Sequence, residues 1–77
     1  MITAYVLVQA EVGKGASVGN EVAAIKQVRS AEIVTGPYDV IALAEAEDID
    51  ELGRMVVAKI QAVEGVTRTL TCPVIHF

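Results

Sequence analysis

Val34-Thr35-Gly36-Pro37-Tyr38-Asp39-Val40-Ile41-Ala42-Leu43-Ala44-Glu45-Ala46 places a compact turn in front of an unbroken apolar run. Gly36, Pro37 and Asp39 are residues that turns favour, each for its own backbone reason. The run Val40 to Ala46 is β-branched and aliphatic, as a strand requires, and Glu32 to Thr35 reads as a shorter strand before the turn. So tight a connection cannot carry a parallel crossover, so these two strands pair antiparallel.

Upstream, Ile2, Ala4, Val6, Val8 and Ala10 alternate with Thr3, Tyr5, Leu7, Gln9 and Glu11, predicting a strand over Ile2 to Val12. Gly13-Lys14-Gly15 ends it. Ser17 is the expected N-cap of a first helix running to about Val28, with Val18, Val22, Ile25 and Val28 on its apolar side. Downstream, Asp48 with Glu51 three residues on suggests a capping-box start for a second helix. Its predicted stripe is Ile49, Leu52, Val56, Ile60 and Val63, and Gly65 stands where a left-handed cap is wanted. Gly53 inside this helix either weakens it or permits close packing. Val66 to Ile75 is the last strand.

The order β-α-β-β-α-β is the split arrangement termed ferredoxin-like. The fold class is therefore α+β, a four-stranded antiparallel sheet with both helices on one face, since right-handed crossovers place them there. The other face should then be polar if it met water. It is not: Tyr5 and Leu7 oppose the aliphatic row of the first strand, and Ile41 and Leu43 oppose Val40, Ala42 and Ala44. In the last strand Val66, Leu70, Cys72 and Val74 oppose Thr67, Thr69, Thr71 and Ile75.

Size sharpens the point. A chain of 77 residues forms one domain, and such a domain buries only roughly 60–65% of the surface its unfolded chain exposes. Small domains are usually helped by disulfides, metals or partner subunits. The only cysteine is Cys72 and the only histidine is His76, so disulfides and the common zinc sites are excluded. Association is left, and a hydrophobic content of 53% agrees. The expected unit is a dimeric sandwich in which two sheets, or two sheet edges, meet.

A net charge of −4 and singly scattered basic residues argue against a phosphate-backbone partner. No basic run precedes the first apolar residues and no apolar stretch approaches the roughly 18–20 residues that span a bilayer. A cytoplasmic location, without membrane association, is the expectation.

The turn Gly36-Pro37-Tyr38-Asp39 is the most informative candidate site. Gly36 allows close backbone approach and Pro37 stiffens the loop. Tyr38 adds an aromatic wall with a hydroxyl, and Asp39 a carboxylate. Backbone N–H groups around Gly36 can receive a carboxylate while Asp39 receives an ammonium, the complementarity an α-amino acid demands. The plain alternative is an ordinary hairpin loop.

Val34-Thr35-Gly36-Pro37-Tyr38-Asp39-Val40-Ile41-Ala42, the helix after it, and Val63-Glu64-Gly65-Val66-Thr67-Arg68-Thr69-Leu70-Thr71 resemble the effector (RAM) domain of the Lrp/AsnC, or feast/famine, transcriptional regulators. The resemblance covers nearly the whole chain. It implies the βαββαβ fold, sheet-paired dimers assembling into rings, and amino acids or related metabolites held at dimer contacts near the Gly-x-Tyr-Asp turn. Carried over, Gly36, Tyr38 and Asp39 are ligand contacts and Pro37 shapes the loop, while removing one N–H donor. Thr69 is a lesser candidate. Regulators of this kind carry an N-terminal helix-turn-helix domain, whereas this chain starts with Met1 at its first strand. It is therefore expected to sense and oligomerise without a DNA-binding domain of its own, with full-length Lrp/AsnC-type regulators as further candidate partners. No cofactor or metal is implied.

Other readings share the strand order. An RNA-recognition domain needs aromatics on the third strand and a basic surface. A small dimeric enzyme needs an acid–base pocket, which one histidine hardly supplies. An ACT-type amino-acid-binding module is the nearer rival and would use the Gly13–Gly15 turn and first helix. Gly13-x-Gly15-x-x-x-Gly19 does not match a dinucleotide fingerprint and reads as a flexible loop. His76 reads as a surface or interface residue, and Cys72 as a small buried apolar residue. Glu45, Glu47, Asp48, Asp50 and Glu51 read as favourable charge at a helix start rather than a metal site.

Overall fold

A computed structural model describes residues 1–76. The elements are β1 (Ile2–Ala10), α1 (Gly15–Ala23), β2 (Val28–Ile33), β3 (Val40–Ala46), α2 (Ile49–Met55) continued by a π segment (Val56–Ile60), and β4 (Val66–Pro73). The strands form one sheet in the order β2-β3-β1-β4, with every pairing antiparallel. This is the predicted βαββαβ architecture. The subunit measures only 17 Å along its thinnest axis.

The core lies between the sheet and a single helix layer. Ala4, Val6 and Val8 of β1 and Val40, Ala42, Ala44 and Ala46 of β3 are buried against Val18 and Val22 of α1 and Leu52, Met55, Val56 and Ile60 of the second helix. Both helices therefore cover the same face. The alanines leave the helices room to approach, and each fully buried Val, Leu or Ile contributes about 1.5–3 kcal/mol.

Four local expectations need correction. First, α1 ends at Ala23 and β2 starts at Val28, not Glu32. Ile25 and Val28 repeat at helical spacing, yet Val28 pairs with Ala44 at the sheet edge, and tertiary packing overrides the short periodic signal. Second, Ser17 is not the N-cap. The helix starts after Lys14, and the Ser17 hydroxyl donates to the Lys14 carbonyl at 3.1 Å. Third, Ile49 is 57% exposed, and Met55 takes its place in the core. Fourth, Gly19 belongs to α1 and is buried. A Cβ there would lie 2.7 Å from Ile33 Cγ1, so glycine at this position lets the helix sit down on β2.

The second helix starts as expected. Asp48 accepts from the Glu51 N–H at 2.8 Å, and Glu51 accepts in turn from the N–H of Glu47. The helix widens at its end, where Gln61 N–H donates to the carbonyl five residues back, Val56, at 2.9 Å. Gly65 then takes φ +98°, and a Cβ would press on Lys14 and Val18 at 3.0–3.2 Å. Gly65→Ala is expected to lower the free energy of unfolding by about 1–3 kcal/mol, seen as a lower urea midpoint at unchanged slope.

Candidate functional site

Residues that face each other across the ladder share a face of the sheet. On the face away from the helices, Tyr5 pairs with Leu43 and Cys72, and Leu7 with Ile41 and Leu70. These six side chains form one apolar patch, partly or fully open to solvent, with Tyr5 at 45% and Leu70 at 48% exposure. Cys72 is exposed, not buried, because none of the described residues covers this face of the sheet.

The patch has polar borders. Thr3 and Glu45 close one end, Gln9 and Arg68 the other, and Ser30 and Glu32 of β2 one side. Edge strand β2, whose faces the sequence reading did not assign, is thus polar on this side. In β4 the rows also differ from expectation: a bulge shifts the register between Gln9 and Ala10, so Val66 pairs with Ala10 and packs against the core. Thr69 and Thr71, partners of Val8 and Val6, lie on the helix side, where Thr69 accepts from Gln61 Nε2 at 2.9 Å. Thr69 is a structural residue of that edge.

The predicted turn sits at the Gln9/Arg68 end. Gly36 takes φ +144°, with open space where a Cβ would stand. Glycine is required there by backbone conformation, not by a neighbouring atom. Gly36 and Pro37 are exposed, Tyr38 and Asp39 half-buried. Asp39 ties the turn to β1: its N–H donates to Val8 O at 2.9 Å, and its Oδ2 accepts from Ala10 N–H at 2.7 Å. The residue continues the β3–β1 ladder by one more step, with a side-chain oxygen in place of a carbonyl. Asp39 O also accepts from Val34 N–H at 2.9 Å, closing the hairpin.

Gln9 completes the anchoring. Its Nε2 donates to Pro37 O at 3.3 Å, and its backbone oxygen accepts from the Thr67 hydroxyl at 3.1 Å. Gln9, Ala10 and Thr67 are members of this corner that the sequence did not single out. The one available signal was a polar Gln9 in an otherwise apolar strand, and nothing in the spacing linked it to position 37. The Gly13–Gly15 turn is there too, since a Cβ on Gly15 would be 3.7 Å from that of Asp39. The two turns that separate the two binding-module readings are neighbours.

What the corner offers a ligand is limited and specific. One Asp39 oxygen and the Asp39 N–H are used by the fold, and Pro37 has no N–H. No hydrogen bond among the described residues engages the N–H of Gly36 or Tyr38, or Oδ1 of Asp39. Two donors and an anionic acceptor therefore lie within one turn. The acidic run is accounted for locally, by the Asp48 and Glu51 caps and by the pairing of Arg29 with Glu45. Among the described residues no three His, Cys, Asp or Glu side chains are placed to hold a metal ion. Among the described residues no helix is long and apolar enough to cross a membrane.

A family model described as the Lrp/AsnC ligand binding domain matches residues 3–76. The chain belongs to that family. Similar curated proteins include HTH-type transcriptional regulators of uncharacterised role, one from Pyrococcus furiosus at 31% identity over 90% of this chain and 48% of the relative. Another, from Pyrococcus horikoshii, is 33% identical over 91% of this chain and 44% of the relative. The chain spans about half the length of these relatives. Among solved structures, a Thermus thermophilus protein superposes with TM-score 0.92 at 38% identity, covering 100% of this chain and 96% of that one. Escherichia coli AsnC shares the fold at TM-score 0.90 and 19% identity, over 99% of this chain and 52% of AsnC. A Neisseria meningitidis transcriptional regulator solved as an L-Met complex does so at TM-score 0.83 and 21% identity, over 97% of this chain and 50% of that one. The Lrp/AsnC fold and the predicted family are thus both established, with the turn of Gly36 to Asp39 part of the matched region.

Asp39→Ala is expected to leave the part-buried Ala10 N–H without a partner, lowering stability by about 1–3 kcal/mol. Asp39→Asn retains an oxygen and should lose less. Amide exchange at Ala10 measured by NMR checks this: fast in the Ala variant, near wild type in the Asn variant.

Proposed function

We propose that this Lrp/AsnC domain senses an amino acid or closely related metabolite and couples its binding to self-association. The ligand ammonium pairs with Oδ1 of Asp39. Its carboxylate accepts from the N–H groups of Gly36 and Tyr38, and the Tyr38 ring covers the ligand side chain. The observation that carries this reading is the polar-bordered apolar patch with the Gly36–Asp39 turn at its rim. A patch of that kind marks an interaction surface, and a second sheet of the same chain is its natural cover. Burying about 400 Å² of apolar surface per subunit contributes on the order of 10 kcal/mol before association entropy. A ligand at the rim then biases assembly through its different affinity for the assembled and separate states. The domain acts in the cytoplasm on transcription, by way of a DNA-binding segment or partner regulator and not by contacting DNA itself.

The binding prediction uses a thermal-shift panel of the common amino acids, beginning with L-methionine. A true ligand at a hundred times its dissociation constant adds about 2.7 kcal/mol and raises Tm accordingly. Titration calorimetry of Asp39→Asn, which retains the anchor to Ala10, should show about ten- to a hundredfold weaker binding, since a charge-assisted hydrogen bond is worth roughly 1.5–3 kcal/mol. A panel with no shift, or unchanged affinity in that variant, removes the amino-acid reading.

For assembly, Leu7→Glu places a charge in the middle of the patch. It should convert the wild-type oligomer into an 8.1 kDa species in sedimentation velocity at micromolar concentration. A wild type already of that size would refute sheet pairing.

A further inference from the structure

We infer that Gln9 is a positioning residue for the Gly36–Asp39 turn, and that it carries the state of the open sheet face to that turn. This role rests on the sheet pairing and the rim site proposed above, and forms a second link beside Asp39. Asp39 ties the turn to Val8 O and Ala10 N–H, which are backbone atoms of β1. Covering the sheet leaves those bonds as they are. Gln9 differs because its side chain belongs to the open face.

Strand alternation sets Tyr5, Leu7 and Gln9 on that face, and Gln9 pairs with Arg68 at the end of the patch. It follows Leu7 on the same side, about 7 Å further along the strand. From there its Nε2 donates to Pro37 O at 3.3 Å, and its Oε1 accepts from the Thr67 hydroxyl at 3.3 Å. The Pro37 carbonyl can only accept, so the amide nitrogen is the end that faces the turn. Thr67 is the extra residue of the β4 bulge, between the partners of Gln9 and Ala10. A bulge re-aims side chains, and here the hydroxyl is aimed at Gln9.

One side chain thus bridges β1, β4 and the turn. Among the described residues no other side chain of the open face hydrogen-bonds to residues 34–39. A polar residue kept at the rim for solubility alone would not need both ends of its amide engaged.

Water makes this bond respond to cover. In a separate subunit the bond is open to solvent, and water replaces either partner at little cost. A second sheet laid on the Leu7–Leu70 row excludes that water. An unpaired amide is then costly, and a bond made in low dielectric is stronger. Gln9 therefore releases Pro37 readily in the separate subunit and holds it in the paired one. Linkage is reciprocal, so a ligand that steadies the turn favours pairing through the same contact.

Amide hydrogen exchange at Val34, whose N–H closes the turn onto Asp39 O at 2.9 Å, tests this without any ligand. Wild type and Leu7→Glu are compared with and without Gln9→Ala, with assembly followed by sedimentation. Val34 should be protected about tenfold more in the assembled wild type than in Leu7→Glu. With Gln9→Ala, at a concentration where that variant is assembled, the difference between the two backgrounds should largely vanish. Gln9→Glu keeps the length and the acceptor for Thr67 but loses the donor, and should behave like Gln9→Ala. Equal loss of protection in both backgrounds would make Gln9 a plain tether and overturn the coupling. A tenfold difference that survives Gln9→Ala, or a Gln9→Glu variant that matches wild type, would also overturn it. Each of these outcomes removes the role of Gln9 alone, whereas a wild type sedimenting at 8.1 kDa removes sheet pairing and this role with it.

Discussion

One layer of helices can cover only one face of a sheet, and this chain has only one layer. The core is accordingly thin, built from valines and alanines of β1 and β3 under Val18, Val22, Leu52 and Ile60. The remaining apolar residues of the central strands point the other way, and no remaining segment among the described residues folds back over them. Water contact with Tyr5, Leu43 and Leu70 is unfavourable in proportion to their area. The hydrophobic effect that closes one side of the sheet thus makes the other side adhesive, and the polar borders confine where another molecule can attach.

Asp39 links that surface to the turn. By lending a carboxylate oxygen to Ala10 N–H, it holds the β2–β3 hairpin against the end of β1, and its second oxygen has no hydrogen-bond partner among the described residues. A group bound there touches the residue that sets the hairpin's position at the rim of the open face. In the function proposed here, binding and assembly are joined through one short-range hydrogen bond, with no need for a pathway across the core. The same economy explains why Gly36 must be glycine: its extended backbone with positive φ lets the turn close while Asp39 stays in line with β3.

Much of this was legible from residue order. The alternation of β1, the tight turn before Val40 and the Asp48–Glu51 cap all act over a few residues, and each appears in the structure as read; Gly65 has the expected positive φ but lies beyond the helix, which ends at Ile60 and is capped by Gln61. Errors arose where a short pattern served two masters. Ile25 and Val28 fit a helix by spacing, but Val28 is needed opposite Ala44. Ile49 fits the helical stripe, yet the first turn overhangs the core and Met55 replaces it. Gly19 looked like loop chemistry, and its reason is the close approach of Ile33 from an element distant in sequence.

The sequence by itself determined the order of elements, the family, and the conclusion that the sheet carries more apolar residue than one helix layer can hide, because these depend on local periodicity and on totals. Only the tertiary structure decided which oxygen of Asp39 is already occupied, that Gln9, Thr67 and the Gly13–Gly15 turn share its corner, and that β2 and the β4 bulge bound the open patch. These are meetings between residues up to 58 positions apart. They are set by strand register, and a one-residue slip would send every side chain to the opposite face.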